Sequence, residues 1–162
     1  MSKRQSGMSL VELLTVVTIV GILSAIVIPS YQESVRKAHR ADGQAVVLEL
    51  AQFMERFYTE NGRYAQDRAG TAVTTVLAGS ALLSAPKGGG ETYYNLSLQN
   101  LAERTFRIEA APTGAQTGDK CGTLTLTQSG VKGVSGATVA VNNCWLRDGT
   151  NALTHCRFLR CE

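Results

Sequence analysis

Little in this chain points to catalysis. Its 162 residues include two histidines, His39 and His155, and neither lies in a residue pattern that would support a catalytic site. Serines and aspartates occur without a supporting motif, no phosphate loop is present, and no paired carboxylates stand out. An enzyme is therefore not expected, nor a cofactor. No C-x-x-C pair exists, and His155 is the only histidine near the cysteines, which argues against the competing reading of a zinc site. There is no acidic cluster to bind calcium, so no metal is expected. A large excess of one charge is also missing. Sixteen basic residues face thirteen acidic ones, and Lys3 and Arg4 lie within the first seven residues, so the remainder carries a net charge of only +1. That excludes the strongly basic composition of a general nucleic-acid binder.

What the chain does have is one long apolar run. In "RQSGMSLVELLTVVTIVGILSAIVIPSY", residues 4 to 31, the stretch from Met8 to Ile28 would form a helix of about 31 Å, enough to cross a bilayer's hydrocarbon core. The basic residues before it would keep the N-terminus cytoplasmic. A secretory signal peptide or a plain anchor would share these traits. Two features argue otherwise. No convincing A-x-A cleavage site follows the run, and Glu12 lies inside it. An ionised carboxylate costs about 2.5–3.5 kcal/mol at mid-membrane, less near the interface.

That cost makes sense if a partner neutralises Glu12. Cleavage between Gly7 and Met8 would create one, the α-amine of Met8 at the tip of the new helix. Glu12 of one subunit would then pair with Met8 of the next as apolar helices pack side by side. Gly7, with no side chain, gives a protease close access to the backbone.

These residues resemble the N-terminus of type IV prepilins: a short basic leader, a Gly at its end, S/T-L-x-E, and a long apolar helix. The resemblance implies that a prepilin peptidase cuts after Gly7 and N-methylates Met8, where the family usually has Phe. It implies an assembly role for Glu12, and unwinding between a Gly and a Pro such as Gly21 and Pro29 in the filament. The bare reading of Pro29 is a kink at the membrane exit.

Beyond Pro29, Tyr31 to about Tyr58 reads as an amphipathic helix. Val46, Leu50, Phe53 and Phe57 share one face, and Val35, Ala38, Ala41 and Ala45 continue a thinner stripe upstream. Arg36, Lys37, His39 and Arg40 read as a solvated face with headgroup contacts. Asn61-Gly62 is a stop signal. Residues 65–92 read as a loop with a short helix near Val73–Leu77, broken by "PKGGG" at 86–90. Strands are expected at 93–98, 105–110 and 122–127, with a fourth within 137–145. The expected fold class is α+β: one long helix packed on an antiparallel sheet of three or four strands, also the outline the pilin resemblance implies.

Four cysteines beyond a membrane-targeting segment read as two disulfides in an oxidising compartment. Three connectivities are open, and the nearest-neighbour pairing, Cys121–Cys144 with Cys156–Cys161, is the expected one. A Cys121–Cys144 loop of about 24 residues would contribute roughly 3 kcal/mol in the chain-entropy model. The segment "CGTLTLTQSGVKG…NNCW" is similar to the C-terminal region of PilE-type minor pilins and of the related competence pilin that binds DNA. The tail "LRDGTNALTHCRFLRCE", 146–162, has no counterpart in that resemblance. It reads as a stabilised C-terminus or as an exposed contact loop bearing Arg157 and Arg160.

The resemblance implies a structural subunit, a minor pilin, of a type IV pilus serving motility, adhesion or DNA uptake. Its parts would be a leader at 1–7, a transmembrane and filament-core segment at 8–29, and a head at 30–162. The subunit would be single-pass in the inner membrane with a periplasmic head, then extracellular in the pilus. Expected partners are other pilins, major and minor, the prepilin peptidase, the inner-membrane assembly platform, and lipid before assembly. Two alternatives remain. One is a DNA-binding competence pilin using basic residues among Arg104, Arg107, Lys120, Lys132, Arg147, Arg157 and Arg160, with Trp145 nearby in sequence. The other is a type II secretion pseudopilin.

Overall fold

The computed structural model describes residues 9–145. The leader, Gly7, Met8, Arg147, Arg157, Arg160 and the Cys156–Cys161 pair lie outside the described residues. The chain divides between Lys37 and Ala38 into two units.

The first described element, α1, is an α-helix over Leu10–Asn61 that includes Gly21 and Pro29. Up to Ile28 its large apolar side chains are exposed. The helix is long and apolar enough to cross a membrane. Its small polar residues are satisfied by the helix itself. The hydroxyls of Thr15, Thr18 and Ser24 donate to the carbonyls of Glu12, Leu14 and Val20 at 2.9, 2.8 and 2.7 Å. These residues therefore bring no unpaired donor into an apolar layer. Glu12 stands in the first turn, where a carboxylate is favoured by the helix dipole.

In the second unit α1 buries Val46, Val47, Leu50, Met54 and Phe57, while Phe53 is partly buried. The thinner upstream stripe is different from the one expected. Ala38 and Ala45 are exposed, and Arg40, Gly43 and Gln44 take the buried positions instead. The helix stops at Asn61, whose side-chain amide donates to the Phe57 carbonyl at 2.9 Å. Gly62 follows with φ 76°, a left-handed conformation that costs glycine no Cβ clash.

Five strands form one sheet in the order β1 to β5: β1 Ser84–Ala85, β2 Tyr94–Gln99, β3 Arg107–Pro112, β4 Thr123–Thr127 and β5 Lys132–Ser135. Every neighbouring pair is antiparallel. The sheet thus has five strands rather than three or four. The two-residue β1 is too short to leave a pattern in the sequence. The fourth strand expected within 137–145 is absent. β5 precedes it, and Val141–Cys144 is a single helical turn, α3, after the short helix α2 at Val73–Val76. Apolar alternation in "ATVAV" imitates a strand, but Gly136 takes φ 69° directly after β5. The backbone then turns to bring Cys144 and Trp145 into the core.

Alternation fills one face of the sheet with Tyr94, Leu96, Ile108, Ala110, Leu124 and Leu126, all buried in the same core cluster as the α1 residues. Tyr94 lies so close to α1 that residue 43 has to be glycine. A Cβ on Gly43 would meet Cδ2 of Tyr94 at 2.8 Å. The ring cannot retreat, because it is fully buried and its hydroxyl is held at its far end. Gly43→Ala would gain about 0.5–1 kcal/mol of helix propensity and meet an overpacking cost of about 1–3 kcal/mol. A net loss of about 1 kcal/mol is expected in thermal melts, and a rise in stability would show that the ring can move.

Candidate functional site

Three groups of residues were candidates: the assembly positions on α1, the basic side chains, and the cysteines. Glu12, Gly21 and Pro29 all lie on the first-unit part of α1. A Cβ built on Gly21 meets nothing within 4 Å, so packing within the chain does not demand a glycine there. Its reason has to be sought in backbone freedom or in a neighbour.

The described basic candidates do not form one surface. Arg107 and Glu109 alternate with buried Ile108 and Ala110 on β3, which puts them on the outer face of the sheet. Their charged ends are 3.6 Å apart. Lys132 pairs in register with Leu126, so it stands on the core-facing side. Its ammonium lies 5.5 Å from the centre of the Trp145 ring, a cation–π distance. The indole N–H of Trp145 donates to the Gly133 carbonyl at 2.9 Å. Lys132 also borders an open groove of about 460 Å³ beside Leu48, Ala51, Glu55 and Phe106. Lys120 is exposed before β4, and Arg104 is exposed in the β2–β3 connection. Acidic Glu55 lines the same groove as Lys132, and Glu109 lies beside Arg107.

Arg40 corrects the reading of the basic cluster as a solvated face. It is 4% exposed. Its guanidinium forms a two-pronged ion pair with Asp119, the Nε contact being 3.0 Å. The Asp119 carboxylate also accepts from the Tyr94 hydroxyl at 3.1 Å, and Gln116 Nε2 donates to that hydroxyl at 3.0 Å. Burial alone would raise the Asp119 pKa, but the Arg40 pairing, the Tyr94 hydroxyl and the Cys121 amide outweigh it and hold the carboxyl below the usual range. Burial, aided by Asp119 and opposed by Gln116, pushes the Tyr94 phenol up to about 12. His39, next to Arg40 in sequence, stacks on Tyr93 with ring centres 3.6 Å apart. A basic residue one helical turn before a glutamine was the only sequence signal for this network, and it is indistinguishable from headgroup contacts without the partner 79 residues away.

A disulfide joins Cys121 and Cys144, with Cα atoms 5.5 Å apart. Both residues are buried, and Gln44 Nε2 donates to the Cys144 carbonyl at 2.7 Å. Among the described residues, no group of three or more His, Cys, Asp or Glu side chains could hold a metal.

Comparison with known proteins finds similarity to pilins and to a secretion-system core protein. The family model described as type IV minor pilin ComP, DNA uptake sequence receptor, matches residues 29–125. The model of the prokaryotic N-terminal methylation motif matches residues 2–28. A fimbrial protein of Neisseria meningitidis is 26% identical over 103 residues, covering 62% of this chain and 61% of that protein. Type II secretion system core protein G of Aeromonas hydrophila is 31% identical over 62 residues, covering 38% of this chain and 43% of that protein. The chain spans about half the length of the curated relatives it matches. Among solved structures, a type IV pilin from Shewanella oneidensis aligns with a TM-score of 0.46 and 29% identity, over 69% of this chain and 99% of that one.

Proposed function

The chain belongs to the family of type IV minor pilin ComP, DNA uptake sequence receptor, and from that premise we propose that it is a minor structural subunit of a type IV pilus. The observation that carries this reading is the exposed apolar stretch of α1 with one carboxylate in its first turn. Such a surface is stable in lipid or against other apolar helices, and not in water. The division of labour follows from it. Residues 1–7 are a leader removed by a prepilin peptidase after Gly7. Residues 8–29 anchor the subunit in the inner membrane and then pack in the filament core. Residues 30–162 form the head, periplasmic before assembly and extracellular after it. Glu12, Gly21 and Pro29 serve assembly with other pilins on the inner-membrane platform. No chemistry is required of the head.

Intact-mass and N-terminal analysis of the protein in filaments sheared from cells tests this. A chain starting at N-methylated Met8 in trace amounts is the expected result. Dominance of the filament would make it the major subunit. Confinement of the processed protein to the inner membrane would favour a secretion pseudopilin, the reading suggested by its likeness to core protein G.

A second reading, reception of DNA, is favoured by the description of the family. Because Arg107 and Lys132 occupy opposite faces of the sheet, a DNA surface would draw on only one of them. Lys132 supplies a cation there, but the neighbouring Trp145 ring is buried and gives no face for a base to stack on, so such a surface would rest on charge. Arg147, Arg157 and Arg160 follow Trp145 in sequence. A gel shift with the detergent-solubilised chain should then weaken steeply with salt. Absence of any shift at low salt would end this reading.

A further inference from the structure

The ion pair of Arg40 and the disulfide are parts of one construction. Arg40 and Gln44 are one helical turn apart on α1, so both side chains leave the same face. Arg40 holds the Asp119 carboxylate, two residues before Cys121. Gln44 holds the carbonyl of Cys144 itself, at 2.7 Å. One face of one helix therefore grips both cysteine-bearing segments, at the backbone of Cys144 and two residues before Cys121. Further contacts lock the Asp119 side. Tyr94 and Gln116 complete the buried network, and Gly122 N–H donates to the Asp119 carbonyl at 3.0 Å. Gly122 takes φ 55°, and a Cβ there would fall 2.4 Å from the Ser135 carbonyl oxygen. None of these bonds involves a sulfur atom.

We infer that Arg40 and Gln44 are positioning residues for disulfide formation: they bring Cys121 and Cys144 together before oxidation and so select this pairing among the three that four cysteines allow. In the oxidation, the two thiols lose two protons and two electrons to a disulfide oxidant such as oxidised glutathione, which leaves as two thiols. The S–S bond then records a proximity that the polar network has already set. Hydrophobic collapse by itself would bring any two apolar thiols near each other. The carboxylate and the amide specify which two.

The test is refolding of the full chain in detergent micelles. The protein is reduced, then reoxidised in a glutathione buffer, and the first bridges are mapped by proteolysis and mass spectrometry. Wild type should form Cys121–Cys144 first and almost exclusively. The triple variant Arg40→Met, Gln44→Met, Asp119→Leu keeps the volume and leaves no buried charge unpaired. Its share of first-formed Cys121–Cys144 should fall several-fold, with the remainder spread over other pairings. Leu50→Ala, which weakens the core away from the network, should retain the wild-type pairing. If the triple variant fails to fold, Gln44→Met alone, with the ion pair intact, should show a smaller fall in the same share. Wild-type pairing in the triple variant, or in Gln44→Met where that variant replaces it, would overturn the inference. So would an equal loss in Leu50→Ala, because general stability would then explain the effect.

Discussion

Asp119→Ala should destabilise the unit that begins at Ala38 by about 3–5 kcal/mol. Arg40 would remain buried with its charge uncompensated, and a guanidinium cannot shed its proton to escape. Tyr94 would lose an acceptor in the same step. The informative comparison is with Arg40→Met, Asp119→Leu, where both charges go together. Replacing a buried pair with apolar groups of similar volume is often neutral or stabilising, so the double variant should melt near wild type. Urea or thermal unfolding of the purified chain reads both. Equal losses in single and double variants would mean that the pair contributes net stability, rather than being costly only when broken.

The same network contributes to the pH limits, together with Tyr64, also pushed up to about 12 by burial, and Asp67, held low by the Thr71 amide. Asp119 titrates below its ordinary 3.8 in the folded protein. Its contribution is therefore complete above that value and lost as the pH falls through the lower folded one. Tyr94 titrates above its ordinary 10, at about 12. Its contribution is complete below pH 10 and lost as the pH rises from 10 towards 12. Stability should thus fall at both extremes, and in Arg40→Met, Asp119→Leu the acid limb of that loss should shrink.

Glu12→Ala is expected to deplete the protein from filaments by about tenfold or more while leaving it in the membrane fraction. A tenfold change corresponds to about 1.4 kcal/mol, a modest demand on an ion pair formed in an apolar layer, where an unpaired carboxylate costs about 2.5–3.5 kcal/mol. Quantitative mass spectrometry of sheared filaments against membranes measures the ratio. Unfolding of the Ala38 unit serves as the control and should not shift, because Glu12 belongs to the other unit. Undiminished incorporation would remove Glu12 from the assembly mechanism.

The sequence was most legible where one period governs many residues. A long, mostly apolar run has few solutions other than a helix, and the large apolar side chains of Leu10–Ile28 are exposed. Asn61-Gly62 ends α1 because glycine alone enters the left-handed region without strain. The strands β2, β3 and β4 fall within a residue or two of their expected places, since period-two alternation over five or six residues has few other solutions. Among the short elements, the helix expected near Val73–Leu77 appears as α2, but two others left no usable pattern. β1 has two residues, and the apolar alternation before Cys144 belongs to a segment that turns away from the sheet.

By itself, then, the sequence determined the membrane-compatible helix, the class of fold and the family resemblance, because each rests on local periodicity or on a contiguous motif. Only the tertiary structure decided what Arg40 is. In the sequence it is one of four clustered bases. In the fold it is buried, paired with a carboxylate 79 residues away, on the helix face that also holds Cys144. It likewise decided that Gly43 must be glycine and that Arg107 and Lys132 cannot share a surface. Those outcomes depend on which face meets which across the core, and no local pattern encodes a partner that distant.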